Sequence, residues 1–217
     1  MIIQRDLFST ILPLLDSPET IVITGMRRVG KTTLLKSIFD HISSENKIYL
    51  DLENPRNQIY FQEKDYDVIK KNLELMGLKS KEPCYVFLDE IQWVKQLPSA
   101  VKYLMDTYKI KFILTGSSSF YLKNQFSESL AGRKFIFELY PLNFSEFLRI
   151  KQAPPLQNIS HESPTLSMFT TYQTYVDEYL KYGGFPGVVL KPTENEKKGG
   201  ARRYIYFLLS TGSIAVK

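Results

Sequence analysis

Gly25-Met26-Arg27-Arg28-Val29-Gly30-Lys31-Thr32 sets a glycine, four residues and then Gly-Lys-Thr at the spacing that cradles a polyphosphate. Gly30 lets the backbone approach the phosphates closely, and successive backbone N–H groups point inward as a nest. A helix beginning at Lys31 presents its positive end to the same anion. Lys31 adds a mobile point charge for the β- and γ-phosphates, and the Thr32 hydroxyl is placed to join a Mg²⁺ shell. The phosphate-binding set is Gly25, Met26, Arg27, Arg28, Val29, Gly30, Lys31, Thr32 and Thr33. Arg27 and Arg28 are secondary members that reach for phosphate or for a neighbouring subunit.

Asp89-Glu90 supplies the other half of such a site. Asp89, directly after an apolar run, is placed to hold Mg²⁺ through a coordinated water, and Glu90 is a candidate base for an attacking water. Taken alone, the pair is an ordinary acidic strand end. Thr115-Gly116-Ser117-Ser118-Ser119 offers a hydroxyl to the γ-phosphate or to that water, with both Thr115 and Ser117 eligible. A polar turn capping the next helix competes with that reading. Arg133, in Leu130-Ala131-Gly132-Arg133, is the candidate cation for transition-state charge, against the alternative of a surface salt bridge.

These groups need a frame that brings them together. Ile21-Val22-Ile23-Thr24 reads as a buried strand, and Leu34, Leu35, Ile38, Phe39 and Ile42 follow at helical spacing from near Lys31. Further strands are expected at Lys47–Asp51, Cys84–Leu88, Phe112–Leu114 and Phe135–Leu139. Helices are expected around Val68–Met76, with Gly77 as the stop, and from Leu97 to Thr107. Alternating strands and helices predict an α/β fold, a parallel sheet with helices on both faces. Ligands sit at the carboxyl ends of such strands. All three polar segments leave strands at that edge, so they should meet there.

After Pro141 the character changes. Asn143-Phe144-Ser145-Glu146 has the pattern of a capped helix start, and Ala153 to Pro164 that of a mobile loop. Tyr172, Tyr175, Tyr179 and Tyr182 recur at helical steps, which favours a packed stripe over a base-stacking platform. Gly183-Gly184-Phe185-Pro186-Gly187 ends that helix in a sharp turn. Lys191, Lys197, Lys198, Arg202 and Arg203 form a mild basic cluster, read as a solvated surface.

The 217 residues suffice for a full α/β domain with a small appendage. A net charge of +5 permits an anionic partner such as DNA without demanding one. No run of about 18 uncharged apolar residues is present, which argues against a membrane partner. Cys84 has no partner for an internal disulfide and reads as a small core residue, which fits a reducing, cytoplasmic setting. His41 and His161 have no companions at metal-ligand spacing.

The string Thr-Gly-Met-Arg-Arg-Val-Gly-Lys-Thr-Thr-Leu-Leu, then Val-Phe-Leu-Asp-Glu-Ile-Gln and Leu-Thr-Gly-Ser-Ser-Ser, resembles archaeal and bacterial AAA+-type P-loop ATPases. Leu-Ala-Gly-Arg, Tyr-Pro-Leu-Asn-Phe-Ser-Glu-Phe and Gly-Gly-Phe-Pro are similar to later signatures of the same family, so the likeness runs in order from about Ile21 to Val189. It implies a three-layer P-loop NTPase core of the ASCE type over residues 1–142 and a small helical lid over 143–217. It also implies ATP with Mg²⁺, Lys31 and Thr32 as Walker A, Asp89 and Glu90 as Walker B, Ser117 near the sensor position, and Arg133 as the family's Gly-Arg arginine. Such proteins usually continue into a winged-helix and nuclease-like region. The chain reaches Lys217 soon after Tyr204-Ile205-Tyr206-Phe207-Leu208-Leu209, so a truncated lid is expected, with that apolar run buried against something. The expectation is ATP hydrolysis that drives a change in a DNA or protein partner, with room for a homo-oligomer. A nucleotide-gated binding switch is the alternative, and a P-loop kinase ranks last because Glu90 favours water over a substrate hydroxyl.

Overall fold

The structure is a computed structural model that describes residues 5–79, 83–117, 130–154 and 166–210, without the side chains of 168–169 and 207–210. Ser118, Ser119, His161 and most of the loop expected at 153–164 lie outside the described residues. The chain divides into two compact units, Met1–Leu139 and Tyr140–Lys217.

In the first unit β1 (Thr20–Gly25), β2 (Lys47–Asp51), β3 (Tyr85–Asp89), β4 (Lys111–Thr115) and β5 (Lys134–Leu139) form one sheet in the order β2-β3-β4-β1-β5. Every neighbouring pair is parallel. Strands covered on both faces read as continuous apolar runs, and all residues of β1 and β4 are buried. The flanking helices are α1 (Asp6–Ile11), α2 (Lys31–His41), the short α3 (Pro55–Gln58), α4 (Tyr66–Leu75) and α5 (Leu97–Tyr108). Helix α2 packs on β1, β3 and β4, burying Leu34, Leu35 and Ile38. On the opposite face Ile69 and Leu73 of α4 and Val101 and Leu104 of α5 share a core with Val86, Leu88, Phe112 and Leu114. Each such side chain stabilises the fold by roughly 1.5–3 kcal/mol when buried, so packing on both faces holds the sheet in place. The α/β parallel sheet expected from the sequence is the one observed.

Local chemistry sets the boundaries. Asp65 caps α4 by accepting the Asp67 N–H, and Gly77, at φ 105°, follows its end. Lys111 is buried at the start of β4, where its ammonium donates to the carbonyls of Leu14 and Ser17, each at 2.7 Å, and of Glu19 at 2.6 Å. It thereby fastens the turn before β1, and burial pushes its pKa down to about 8.

The second unit contains α6 (Phe144–Ile150), α7 (Leu166–Tyr182), α8 (Pro186–Val189) and α9 (Glu194–Ser210). The capping box is present: Asn143 Oδ1 accepts the Glu146 N–H at 2.8 Å, and Glu146 Oε2 accepts the Asn143 N–H at 3.0 Å. The tyrosines of α7 do structural work. Tyr179 packs on Phe144 and Phe147 and donates to the Leu142 carbonyl at 2.8 Å, while Tyr182 donates to Glu194 at 2.6 Å. Among the basic residues, Lys197 pairs with Glu178 at 2.9 Å and Lys198 with Glu194 at 3.5 Å. In the apolar run of α9 the side chains of 207–209 lie outside the described residues. Tyr204 stacks on Phe185 at 4.5 Å, but Ile205 and Tyr206 are exposed, because successive residues on a helix point about 100° apart and only one side of α9 faces α8. No described helix is long and apolar enough to cross a membrane.

Gly184 explains why two separated signatures occur together. A Cβ there would lie 2.2 Å from the Leu142 carbonyl oxygen, and the Leu142 N–H donates to the Gly184 carbonyl at 2.7 Å. Gly184→Ala is expected to destabilise this unit by about 1–3 kcal/mol, the range for overpacking, which thermal unfolding would report as a lowered melting temperature. An unchanged melting temperature would contradict the close packing.

Candidate functional site

Strands β3, β4 and β1 are consecutive in the sheet, so the segments leaving their carboxyl ends converge. Thr115 lies level with Ile23 of β1, and Asp89 lies one residue past the Leu88–Leu114 pair. After β1 the backbone turns through left-handed conformations at Arg28 (φ 66°) and Gly30 (φ 101°) before α2 begins. The first helical bond runs from the Leu34 N–H to the Gly30 carbonyl at 2.9 Å, and the preceding N–H groups of the turn have no partner within the helix. No acidic residue occupies that first turn. Val29 is fully buried beneath the loop, whereas Arg27, Arg28 and Thr33 are exposed and Met26 and Thr32 half-buried.

Lys31 is only 4% exposed and donates two of its three N–H groups, to Gly25 O and Met26 O, each at 3.0 Å. Burial pushes its pKa down, and the charges of Glu90 and Asp89 oppose that shift. Residues from two separate segments thus sense one another across this edge. Within the protein itself, the close backbone packing at this loop is at Gly25. A Cβ on Gly25 would lie 2.3 Å from the Leu139 carbonyl of β5, whereas one on Gly30 would meet only Arg5 Nη1 at 3.6 Å. Gly30 is needed for its positive φ.

Asp89 is 2% exposed, and both of its carboxylate oxygens are held. Oδ2 accepts the Tyr49 hydroxyl at 2.9 Å, and Oδ1 accepts the Thr115 hydroxyl together with the Glu90 N–H at 3.1 Å. The same carboxylate, with burial as the larger cause, raises the pKa of Tyr49. Thr115 therefore orients Asp89, which leaves Ser117 as the hydroxyl just beyond β4 among the described residues. Ser117 is half-buried, and its N–H donates to Gln92 Oε1 at 3.3 Å. Glu90 adopts a left-handed conformation, φ 54° and ψ 49°, uncommon outside glycine and associated with functional sites.

The donor set suits the expected ligands. Thr32 and Asp89 offer hard oxygen atoms of the kind Mg²⁺ prefers, and the loop offers a buried ammonium beside N–H groups with no partner within the helix, of the kind phosphate prefers. Three contributors were not legible as site residues. Tyr49 sits on the half-buried face of β2, and Gln92 follows the acidic pair by two residues. Arg5, 6% exposed, donates Nη1 to the Val29 carbonyl at 2.7 Å and so braces the loop from the amino-terminal segment. Only Gln92 had a local signal, its nearness to Asp89-Glu90.

Arg133 is not brought to this edge. Its carbonyl accepts the Thr20 N–H at 2.9 Å, and the register Thr20–Lys134 sets it at the amino-terminal end of the sheet. Gly25 is five residues along β1 from Thr20, about 17 Å at strand rise, so the arginine cannot reach the phosphate loop of its own chain. Its guanidinium pairs with Asp106 at 3.0 Å with both side chains over two-fifths exposed (46% and 41%). A separate cavity of about 550 Å³ opens at that end, lined by Asp16, Glu19, Asp106 and Arg133 among others, and no residue of 25–33 lines it.

Residues 17–148 match the AAA domain family. An uncharacterized protein of Methanocaldococcus jannaschii is 31% identical over 204 residues, covering 94% of this chain and 43% of that protein. An uncharacterized protein of Haemophilus influenzae is 31% identical over 196 residues, covering 88% and 45% respectively. The chain thus spans less than half the length of these relatives. Among solved structures, a Walker-type ATPase of Pyrococcus abyssi aligns with a TM-score of 0.56 at 15% identity, over 97% of this chain and 74% of that one. C. elegans PCH-2 aligns at 0.52 and 13% identity, over 92% and 65%. At such identities the likeness is one of fold, and it is that of a P-loop NTPase.

Proposed function

The chain belongs to the AAA-domain family of P-loop ATPases, and on that premise we propose that it binds ATP with Mg²⁺ and hydrolyses it to ADP and phosphate. The observation that carries the reading is that β3, β4 and β1 are consecutive in the sheet, so the buried Lys31 and the buried Asp89, with Glu90 beside it, leave the same carboxyl edge. Residues 25–33 hold the phosphates, with Lys31 on the β- and γ-oxygens. Thr32 and Asp89 would hold Mg²⁺, which when bound neutralises charge developing on the phosphate oxygens. Tyr49 and Thr115 keep Asp89 aimed. Glu90 accepts the proton of the water that attacks the γ-phosphorus as the bond to the ADP oxygen breaks, and Ser117 steadies that water or the γ-phosphate.

Arg133 completes the site from a neighbouring copy in this proposal. An ion pair as exposed as Arg133–Asp106 contributes about 0–1 kcal/mol, so the guanidinium is readily recruited to a new anion. The second unit serves as the lid, and hydrolysis drives a conformational change in a partner. A net charge of +5 keeps DNA among the candidate partners.

The test is ATP turnover against protein concentration, with and without DNA. Turnover per chain should rise steeply with concentration, and Arg133→Ala should abolish the rise while leaving ATP affinity intact. An alanine variant with full activity removes Arg133 from the catalytic set. The location of Arg133 also supports a second reading, in which an isolated chain is a nucleotide-gated switch. Tight ATP binding without turnover at any concentration would favour that switch over the hydrolase.

A further inference from the structure

We propose that Gln92 is a positioning residue for Glu90: its side-chain amide holds the Glu90 carboxylate and ties it to the Ser117 turn. The inference rests on the hydrolytic reading of this site. Gln92 lies in the single turn Ile91–Trp93 that follows β3. Its Nε2 donates to Glu90 Oε2, and its Oε1 accepts the Ser117 N–H at 3.3 Å. The sense of the amide is dictated by its neighbours. A carboxylate accepts only, so it must meet the NH₂ group, which leaves the carbonyl oxygen for the N–H donor on the other side. One side chain thereby satisfies an acceptor at the end of β3 and a donor at the end of β4.

Glu90 needs such a hold. Its backbone is fixed by the left-handed turn, with its N–H directed to Asp89 Oδ1 at 3.1 Å and Thr115 Oγ1 at 3.4 Å. Those bonds fix where the side chain begins. They do not fix where the carboxylate ends, because three rotatable bonds lie between. Gln92 supplies the distal restraint. It also makes the base and the Ser117 segment share one partner, so a displacement of Ser117 is felt at the Glu90 carboxylate.

The experiment compares wild-type chain with Gln92→Ala, Gln92→Met, Gln92→Glu, Glu90→Gln and the double variant Glu90→Gln/Gln92→Ala. ATP binding, kcat, KM and single-turnover cleavage are measured for each. Gln92→Ala should lower kcat roughly 10- to 100-fold, the scale of a misplaced catalytic group, with ATP affinity unchanged. Gln92→Met keeps the length without the donor and should behave alike, and it serves if the alanine variant unfolds. Gln92→Glu sets like charges together and should lower kcat further. Removing Gln92 from Glu90→Gln should have no added effect on single-turnover cleavage, because Gln92 acts through Glu90. Equal losses in both backgrounds, a change confined to KM, or full kcat in Gln92→Ala beside an inactive Glu90→Gln would overturn the assignment to Gln92 alone. Wild-type turnover in Glu90→Gln would instead overturn the hydrolytic reading, and this inference with it.

Discussion

Lys31→Ala is expected to weaken ATP binding roughly 10- to 100-fold, because the third N–H of the ammonium is left for phosphate and one charge-assisted hydrogen bond is worth about 1.5–3 kcal/mol. Lys31 is nearly sealed from solvent, and Glu90 and Asp89 both favour its charged form. An incoming polyphosphate acts in the same direction as those carboxylates, against the lowering that burial causes. The substitution also strips a donor from the Gly25 and Met26 carbonyls. A melting curve run beside the titration separates loss of ligand from loss of the loop. A folded Lys31→Ala chain that binds ATP with unchanged affinity would overturn the placement of the phosphates on residues 25–33.

Glu90→Gln is expected to lower turnover by about 10²–10⁴, the usual contribution of a positioned base, while ATP binding survives. The amide has nearly the same shape as the carboxylate but cannot take up the proton of the attacking water. Asp89 should keep its aim in this variant, because the bonds to it come from the Tyr49 and Thr115 hydroxyls and the Glu90 backbone N–H. Measured rates of phosphate release and ATP affinities decide the matter. Loss of binding together with turnover would make Glu90 a structural residue, and retained turnover would remove it from the chemistry.

Much of the sheet and half of the candidate site were legible in the sequence because both are local. Ile21-Val22-Ile23-Thr24 followed by Gly-rich chain and a helical period predicts strand, loop and helix within about 20 residues, and the structure has β1, the loop and α2 there. Asp89-Glu90 was legible for the same reason, as an acidic pair closing an apolar strand. What connects these pieces is not local. Tyr49 reaches Asp89 across 40 residues and Thr115 across 26, pairings set by the strand order β2-β3-β4. No spacing rule announces a neighbour produced by a crossover.

Arg133 and Gly25 show the same limit from the other side. Leu130-Ala131-Gly132-Arg133 reads identically whether β5 begins at the phosphate edge or at the far edge. Only the Thr20–Lys134 register reveals the far edge. Gly25 reads as a phosphate-loop glycine, yet the contact that demands a glycine is with Leu139, 114 positions later in the numbering, a separation only the folded sheet closes. In the second unit the capping box at Asn143–Glu146 was legible as a four-residue pattern, whereas the Leu142–Gly184 contact that requires Gly184 was not.

Cleavage of the held nucleotide at the edge formed by β1, β3 and β4 is the step on which the proposed function depends. It is tested most directly by binding γ-labelled ATP to the 217-residue chain with Mg²⁺ at high protein concentration and following the label in a single turnover. Bound label is expected to appear as free phosphate in wild type, to stay as bound ATP in Glu90→Gln, and to bind far more weakly in Lys31→Ala. Stoichiometric ATP recovered uncleaved from the wild-type chain at every concentration would contradict it.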